Sequence, residues 1–240
     1  MSNSNEITVI SSRATDILMK PDGSIIASAE GGPALFIEIA LQDADVPFTL
    51  HEGERLTVEI EVHEDGEYGR IPAPSLRRRL GEVGVTQWCI VSTLLDEWTL
   101  EGVIPDRLMI DIQGYVRDGI AFGHKQQWPF SAEITKQIFC LKGTEEEIGY
   151  MPTELVEDQK KQRMLVMTRG EKDTTVYFRG DEFVIPTRVV SNLPDTVGAG
   201  DTFFAYYTAG LYQAKDPQAA GQYAADKTAE FLSKKVLADH

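Results

Sequence analysis

The sequence feature that most constrains the fold is a set of nearly continuous apolar runs separated by helix-like segments. Strands of this composition are buried on both faces, as in parallel sheets that helices cover on each side. The runs, in chain order, are WCIVST (88–93), RLMIDI (107–112), IFCLK (138–142) and MLVMT (164–168). The alternation predicts an α/β body with a doubly wound, mainly parallel sheet flanked by helices.

The segments around these runs indicate where the helices lie. A short turn separates TTVYF (174–178) from the preceding strand, so we expect these two strands to pair antiparallel. Helices are predicted at 75–83, 96–103, 144–149, 153–160, 199–212 and 216–236.

The first 70 residues follow a different pattern. ITVIS (7–11) is a β-rich run, and GGPALFIEIAL (31–41) has the pattern of a helix. LTVEIEV (56–62) alternates strictly between apolar and polar residues, which predicts a strand with one buried face. We therefore expect a single domain spanning the 240 residues. Strands within about 14–30 and 54–72 would form a small, reduced β lid over its body.

Composition and charge limit the class of partner. The formal net charge is −15, and such a surface repels nucleic-acid backbones and anionic membranes. The chain shows no bilayer-length apolar stretch and no signal peptide, and Cys89 and Cys140 give no disulfide or zinc pattern. We expect a cytoplasmic protein that binds neither nucleic acid nor membrane. The run Arg77–Arg79 is either a local anion site or, more commonly for charge runs, a solvated helix face.

The stretch Asp195–Phe203, DTVGAGDTF, carries the clearest chemistry. A glycine-rich turn at a helix start lets an anion approach unpaired backbone N–H groups, where the helix dipole also favours negative charge. Asp201 would lie in the first helical turn, ionised beside a bound phosphoryl group, and would be placed to accept a proton from an attacking hydroxyl. The simpler interpretation is a glycine turn with Asp201 as a helix-capping carboxylate.

The pattern Asp-Thr-x-Gly-Ala-Gly-Asp-x-Phe at 195–203 resembles, at every fixed position, the signature of the ribokinase-like (PfkB) carbohydrate kinases. The resemblance implies a ribokinase-like fold with Asp201 as the catalytic base and Asp195 supporting the metal–phosphate region. The implied anion hole consists of the backbone amides of Gly198, Ala199 and Gly200.

Weaker similarities to the family extend over about residues 7–236. For the acceptor substrate, the resemblance implies contacts from Asp16, Gly31 and Gly32. Asp16 is equally well explained as a solvated loop or cap residue. Phe36 stands where the family has an asparagine.

The resemblance also implies a nucleotide and metal region. Thr168 and Gly170 match a turn beside the nucleotide, Thr144 replaces the family's asparagine, and Glu147 matches a glutamate near the magnesium ion. Because open α/β sheets bind ligands at the carboxyl ends of their strands, three further side chains should face the cleft. They are Asp111, Gln113 and Arg117.

These features predict a kinase that uses ATP and Mg²⁺ to phosphorylate a hydroxyl group of a sugar, nucleoside or cyclitol. The alternative is a non-catalytic ligand-binding or regulatory protein on a kinase-like scaffold, which the short lid, Phe36 and Thr144 motivate. A Rossmann-type dehydrogenase fits poorly, because its glycine fingerprint follows the first strand. An exposed lid edge would also allow two subunits to pair as a homodimer.

Overall fold

The computed structural model of the protein describes residues 6–63, 66–73, 76–102, 104–119, 121, 124–191 and 196–238. Its strands are β1 (Ile7–Ser11), β2 (Ala14–Met19), β3 (Ile25–Gly31), β4 (Phe48–Glu52), β5 (Leu56–His63), β6 (Gly66–Arg70), β7 (Arg78–Arg79), β8 (Trp88–Ser92), β9 (Trp98–Thr99), β10 (Arg107–Asp111), β11 (Cys140–Thr144), β12 (Met164–Thr168), β13 (Thr174–Phe178) and β14 (Asp181–Ile185). Its helices are α1 (Pro33–Asp43), α2 (Gln113–Val116), α3 (Ala132–Thr135), α4 (Glu145–Ile148), α5 (Thr153–Gln162), α6 (Ala199–Tyr212) and α7 (Pro217–Ala238), with a 3₁₀ turn at Leu80–Glu82. In the part of the chain so described, no helix has the length and apolarity needed to cross a membrane.

An eight-stranded sheet forms the centre of the molecule, in the order β14-β13-β12-β11-β10-β8-β1-β4. Six of its strands run parallel, from β4 to β12, and β13 and β14 add antiparallel at one edge. This arrangement confirms the predicted mainly parallel sheet and the antiparallel pairing of 174–178. Since parallel strands end at the same edge, the residues that follow β8, β10, β11 and β12 gather there.

Helices cover both faces of this sheet. Ile7 and Val9 of β1 pack into a layer with α1 and α6, whereas Ile10 faces the opposite layer with α5. Side chains alternate between the faces of a strand, which explains why β1 is apolar on both. Phe204 and Tyr207 of α6 are fully buried, and burial of such side chains contributes about 2–3 kcal/mol each. That packing fixes the helix whose first turn reaches the strand ends.

A separate four-stranded sheet, in the order β3-β2-β5-β6, lies within the ranges predicted for the lid. Leu56 and Val58 of β5 join Leu94 and Leu95 of the body in one buried apolar cluster. Strand β3 is exposed over most of its length, with Ile25 among the most exposed large apolar side chains. The lid sheet thus has one face packed against the body and one face exposed to solvent, as the alternation in 56–62 predicted.

The helices predicted at 75–83 and 96–103 are wrong. In their place, β7 and β9 form a short parallel pair, followed by the 3₁₀ turn. The reason is tertiary packing: Trp98 is almost fully buried, and the guanidinium of Arg78 lies 5.8 Å from the centroid of its ring. Strands β4 and β14 at the two sheet edges were not predicted, because their runs mix polar and apolar residues without a clear period.

The arginine run therefore lies on an extended segment and not on a helix face. Arg77 forms an ion pair with Asp96, and Arg79 lies 3.4 Å from a carboxylate oxygen of Glu101. With Arg78 over an aromatic ring, all three arginines have partners within the protein. These contacts give the run a structural explanation.

Candidate active site

A cavity of about 710 Å³ opens at the carboxyl ends of the central strands, between the lid, α6 and α7. This volume is in the range of sites that enclose small molecules. Asp16 and Gly32 line it from the lid side, Thr168 and Gly170 line it from the end of β12, and Asp201 lines it as well. The fold therefore brings the acceptor, nucleotide and base residues predicted from sequence into one cavity.

The first turn of α6 supplies the glycine loop of this cavity. Gly198 precedes the helix with a φ of +78°, in the left-handed region that favours glycine. A side chain at Gly198 would also collide with the ring of Phe36. Both the backbone conformation and the lack of space therefore require glycine at this position. The amide of Ala199 donates to the carbonyl of Thr196 at 3.1 Å and is engaged within the loop. The first amides of a helix have no intrahelical partner and carry the positive end of its dipole, which makes this turn suited to an anion.

Asp201 lies one turn into α6, partly exposed to the cavity. The hydroxyl of Ser92, which ends β8, donates to Oδ1 of Asp201 at 3.0 Å. Burial and the nearby charge of Asp111 raise the pKa of Asp201 to about 6, while Lys142, Ser92 and Arg117 oppose the rise. The carboxylate is therefore ionised at neutral pH yet basic enough to accept a proton, as a general base requires.

A buried ion pair lies beside this carboxylate. Nζ of Lys142, from β11, is 2.6 Å from Oδ2 of Asp111, and the two side chains are 4% and 1% exposed. Burial alone would lower the pKa of Lys142, but the charges of Asp111, Asp201 and Glu147 outweigh it and raise that pKa. The same Nζ would be 3.0 Å from a Cβ built on Gly200. A fixed positive charge therefore lies against the first turn of α6.

Lys142 was missed by the sequence reasoning, although a signal was present. A lysine inside the apolar run IFCLK is a charged residue in a strand that is otherwise buried, and buried charges are paired or functional. Asp111, Gln113 and Arg117 were expected at the cleft. Gln113 and Arg117 line the cavity. Asp111 does not, because it is fully buried and pairs with Lys142, which does line the cavity.

The lid end of the cavity combines one carboxyl group with apolar walls. Burial raises the pKa of Asp16 on β2, and Gly31 on the paired strand leaves room for its carboxyl group, because a Cβ there would collide with it. Gly32 has a φ of +84°, and a Cβ on it would lie 2.6 Å from the carbonyl oxygen of Ser12. The apolar walls are formed by Pro33, Phe36, Val58, Ile60 and Leu94.

Phe36 contacts the glycine loop from the lid side. Its ring stacks edge-on against Phe231 of α7, with centroids 6.1 Å apart, and lies where any side chain on Gly198 would be. The residue that replaces the family's asparagine thus supports the loop at the start of α6 by packing.

Glu97 is a further buried carboxylate, and no sequence pattern indicated its position. It accepts hydrogen bonds from the hydroxyl of Ser12 at 2.8 Å and from the amide of Leu95 at 3.0 Å. Burial raises the pKa of Glu97 to about 7. The hydroxyl of Ser12 also accepts from the amide of Leu94, so these bonds fix the loop that walls the lid end of the cavity.

The opposite end of the cavity holds the residues predicted for the nucleotide. Thr144, Thr168 and Gly170 all line it, and Gly170 has a φ of +64° that suits a tight turn after β12. Further apolar residues line the cavity from the loop before α6 and from α7. They are Val189, Val190, Val197, Ala225, Ala229 and Leu232.

Glu147, predicted near the metal, is engaged in a helix cap. Its Oε2 accepts from the amide of Thr144 at 2.8 Å, and the Thr144 hydroxyl accepts from the amide of Glu147 at 3.2 Å, which together form a capping box. Nζ of Lys125 lies 3.9 Å from Oε1. Asp195, also predicted for the metal region, lies outside the described residues. Among the residues that are described, no three acidic, histidine or cysteine side chains cluster as a metal site.

Comparisons with known proteins agree with this geometry. A family model described as pfkB family carbohydrate kinase matches residues 127–235. Inositol 3-kinase of Arabidopsis thaliana is 26% identical over 249 residues, which cover 86% of this chain and 68% of that protein.

Solved structures show the same fold. A pyrophosphate-dependent kinase of the ribokinase family, complexed with a pyrophosphate analog and myo-inositol, superposes over 95% of both chains with a TM-score of 0.72 and 17% identity. Arabidopsis thaliana ribokinase, complexed with ribose and ATP, superposes over 98% of both chains with a TM-score of 0.72 and 14% identity. The fold is therefore ribokinase-like. Residues 127–235, which include the motif at 195–203, are similar to the pfkB family carbohydrate kinases.

Proposed function

We propose that the protein is a kinase that transfers the γ-phosphoryl group of ATP to a hydroxyl group of a small polyhydroxylated acceptor. The observation that carries this proposal is the placement of Asp201. Its carboxylate, with a pKa of about 6, lies at the start of α6 in a cavity that the lid and the β12 turn both line.

Each residue of the site would have a separate role in the reaction. Asp201 accepts the proton of the acceptor hydroxyl, whose oxygen forms a bond to the γ-phosphorus as the bond to the β–γ bridging oxygen breaks and ADP leaves. The backbone amides of Gly198 and Gly200 and the ammonium group of Lys142 would stabilise the charge on the transferring phosphoryl oxygens, whereas the amide of Ala199 already donates to the carbonyl of Thr196. Lys142 is held for this by its ion pair with Asp111.

A magnesium ion at this site would be carried mainly by the donor phosphates and water. Mg²⁺ prefers oxygen ligands and is commonly held through one or two carboxylates plus substrate phosphates. Glu147 and Asp195 are the residues we propose to hold it, Glu147 through water because its carboxylate also caps α4. When bound, the ion neutralises charge on the donor phosphates.

For the acceptor, we propose a cyclitol in preference to a nucleoside. The lid end offers the carboxyl group of Asp16 and the side chains of Gln113 and Arg117 for hydroxyl groups. Its one described aromatic wall, Phe36, is already packed against the glycine loop. The similarity to an inositol 3-kinase supports the same choice.

An acceptor panel tests the function. ADP release from ATP is measured with myo-inositol, ribose, fructose and inosine, each against a reaction without acceptor. The proposal expects acceptor-dependent ADP release, fastest with myo-inositol. If none of these compounds raises ADP release above the acceptor-free rate, the proposed acceptor class is wrong.

For the donor, we propose ATP and not pyrophosphate. The apolar residues at the nucleotide end would contact an adenine ring, and pyrophosphate has no such group. We expect kcat/KM with pyrophosphate to be lower by about tenfold or more, because binding energy away from the reacting atoms supports the chemical step. Ala229→Leu, which fills this end, should raise the KM for ATP several-fold without changing the acceptor KM. Equal rates with both donors would contradict the proposal.

The alternative, a non-catalytic binding protein, has no specific observation in its favour. The short lid, Phe36 and Thr144 motivated it. Phe36 and Thr144 both have structural roles here, in supporting the glycine loop and in capping α4.

We also propose a homodimer that pairs through the lid. Strand β3 is an edge strand of the lid sheet, and the side chains of Ile25 and Ile26 on it are 67% and 51% exposed. Edge strands with exposed apolar side chains tend to pair with another chain. Sedimentation velocity over a range of concentrations would show a monomer throughout if this proposal is wrong.

A cytoplasmic location remains part of the proposal. Cys89 and Cys140 are both free and buried, which fits a reducing compartment. Fractionation of cells that express the tagged chain tests it.

A further inference from the structure

Ser92 donates a hydrogen bond to the carboxylate of Asp201. Among the described contacts of that carboxylate, it is the one hydrogen bond from an uncharged side chain. Ser92 is the last residue of β8, is 1% exposed, and its hydroxyl donates to Oδ1 of Asp201 at 3.0 Å. The backbone of Ser92 is held in turn, because Ser11 at the end of β1 donates its hydroxyl to the Ser92 carbonyl at 2.6 Å. The contact therefore joins a rigid strand end to the first turn of α6.

The other groups that face Asp201 act through charge. Asp111 at the end of β10 is a like charge, whereas Lys142 on β11 and Arg117 after α2 are opposite charges. These three residues also interact with one another. Lys142 forms an ion pair with Asp111, and the charge of Arg117 interacts with several carboxylates, including that of Asp111. Ser92 is the group that can be altered without changing the charge of the site.

A serine hydroxyl has a single proton, and Ser92 gives it to one of the two oxygens of Asp201. The oxygen that is so occupied is a poorer acceptor for a second proton. A carboxylate held at one oxygen is also restricted in rotation about its side-chain torsion. Both effects leave Oδ2 as the oxygen available to the cavity.

We propose that Ser92 is a positioning residue for phosphoryl transfer: its hydroxyl holds Oδ1 of Asp201, so that Oδ2 stays turned towards the acceptor hydroxyl. This inference rests on the proposed function, in which Asp201 is the base. Ser92 itself touches no substrate in this role. It acts on the rate only through the orientation and basicity of Asp201.

Ser92→Ala should lower kcat by about tenfold, because a misplaced base is costly, and leave the acceptor KM within twofold. A hydrogen bond to the ionised form lowers a carboxyl pKa, so its loss should move the acidic limb of the pH–kcat profile upward by about one pH unit. Ser92→Thr, which keeps the hydroxyl, should restore the profile. Thr93→Val is the matched control, since the neighbouring hydroxyl is equally buried and has no hydrogen-bond partner among the described residues.

A titration that needs no substrate separates this inference from the proposed function. The protein is labelled with ¹³C at the aspartate carboxyl carbons, and the resonance of Asp201 is assigned by its absence in Asp201→Asn. Its midpoint should lie near pH 6 in the wild type and in Thr93→Val, and higher in Ser92→Ala. The same midpoint and the same kcat in Ser92→Ala would overturn the positioning role while leaving the proposed function intact. Full activity of Asp201→Asn would overturn the proposed base, and the positioning role with it.

Discussion

Asp201→Asn should lower kcat for phosphoryl transfer by about 10²–10⁴-fold, the usual contribution of a positioned general base. Asparagine has nearly the same shape and can still accept the hydrogen bond that Ser92 donates, so the site should keep its geometry. The KM values for ATP and for the acceptor should change little. Initial rates over a range of both substrates measure the split between kcat and KM.

The same variant should be more stable than the wild type at alkaline pH. The pKa of Asp201 is raised in the folded protein to about 6, above its value of about 4 in an unfolded chain. The stability that goes with the protonated carboxyl group is therefore present below about pH 4 and is lost as the pH rises through about 6. The difference in Tm between Asp201→Asn and the wild type should accordingly grow from pH 4 to pH 8. A variant that loses Tm at pH 8 would show that the carboxylate is structurally required, and a rate loss would then have another explanation.

Lys142→Met should have the second-largest effect, on both rate and stability. The side chain lies with Asp111 in a pair that is almost fully buried, and removal of one partner from such a pair costs about 3–5 kcal/mol. Loss of the positive charge beside α6 should lower kcat by about 10²–10³-fold, as for other groups that stabilise transition-state charge. Urea unfolding and steady-state kinetics on the same preparation measure the two effects.

A double variant, Lys142→Met with Asp111→Asn, separates the two effects. It removes the unpaired buried carboxylate and should recover most of the lost stability, because neutral groups replace both members of the pair. The kcat should stay low, since the ammonium group remains absent. Recovery of kcat together with stability would mean that Lys142 acts only through the fold.

The central sheet was predictable because its signal is local and repeated. Each apolar run from 88–93 to 164–168 is too uniformly apolar for a strand with a solvent-exposed face. Because these runs alternate with helices, few sheet topologies are possible. The two helices predicted at 75–83 and 96–103 failed because tertiary contacts decide those segments. The burial of Trp98 beneath Arg78 holds both segments in an extended conformation. No short-range sequence pattern predicts that contact.

The site was predictable where one short motif carries it. The nine residues from Asp195 to Phe203 contain the glycine loop together with Asp201, the proposed base. Ser92 and Lys142 were missed because the residues that they approach, Asp201 and Gly200, are distant in sequence. Only the folded sheet brings these strand ends to the start of α6.

For Glu147, the family resemblance pointed to a magnesium site, and the local sequence signal of a helix cap was overlooked. The spacing of Thr144 and Glu147 is that of a capping box, and the structure shows both of its hydrogen bonds. A role for Glu147 beside a magnesium ion is compatible with that cap but remains a proposal.

The central claim is that Asp201 drives transfer of the γ-phosphoryl group to a hydroxyl acceptor. The most direct test follows the reaction of ATP with myo-inositol by ³¹P NMR, using the wild type and Asp201→Asn at equal concentration. A new phosphomonoester signal should grow in step with ADP in the wild type and be almost absent in the variant. A phosphomonoester formed equally fast by Asp201→Asn would contradict it, as would ADP formation accompanied only by inorganic phosphate.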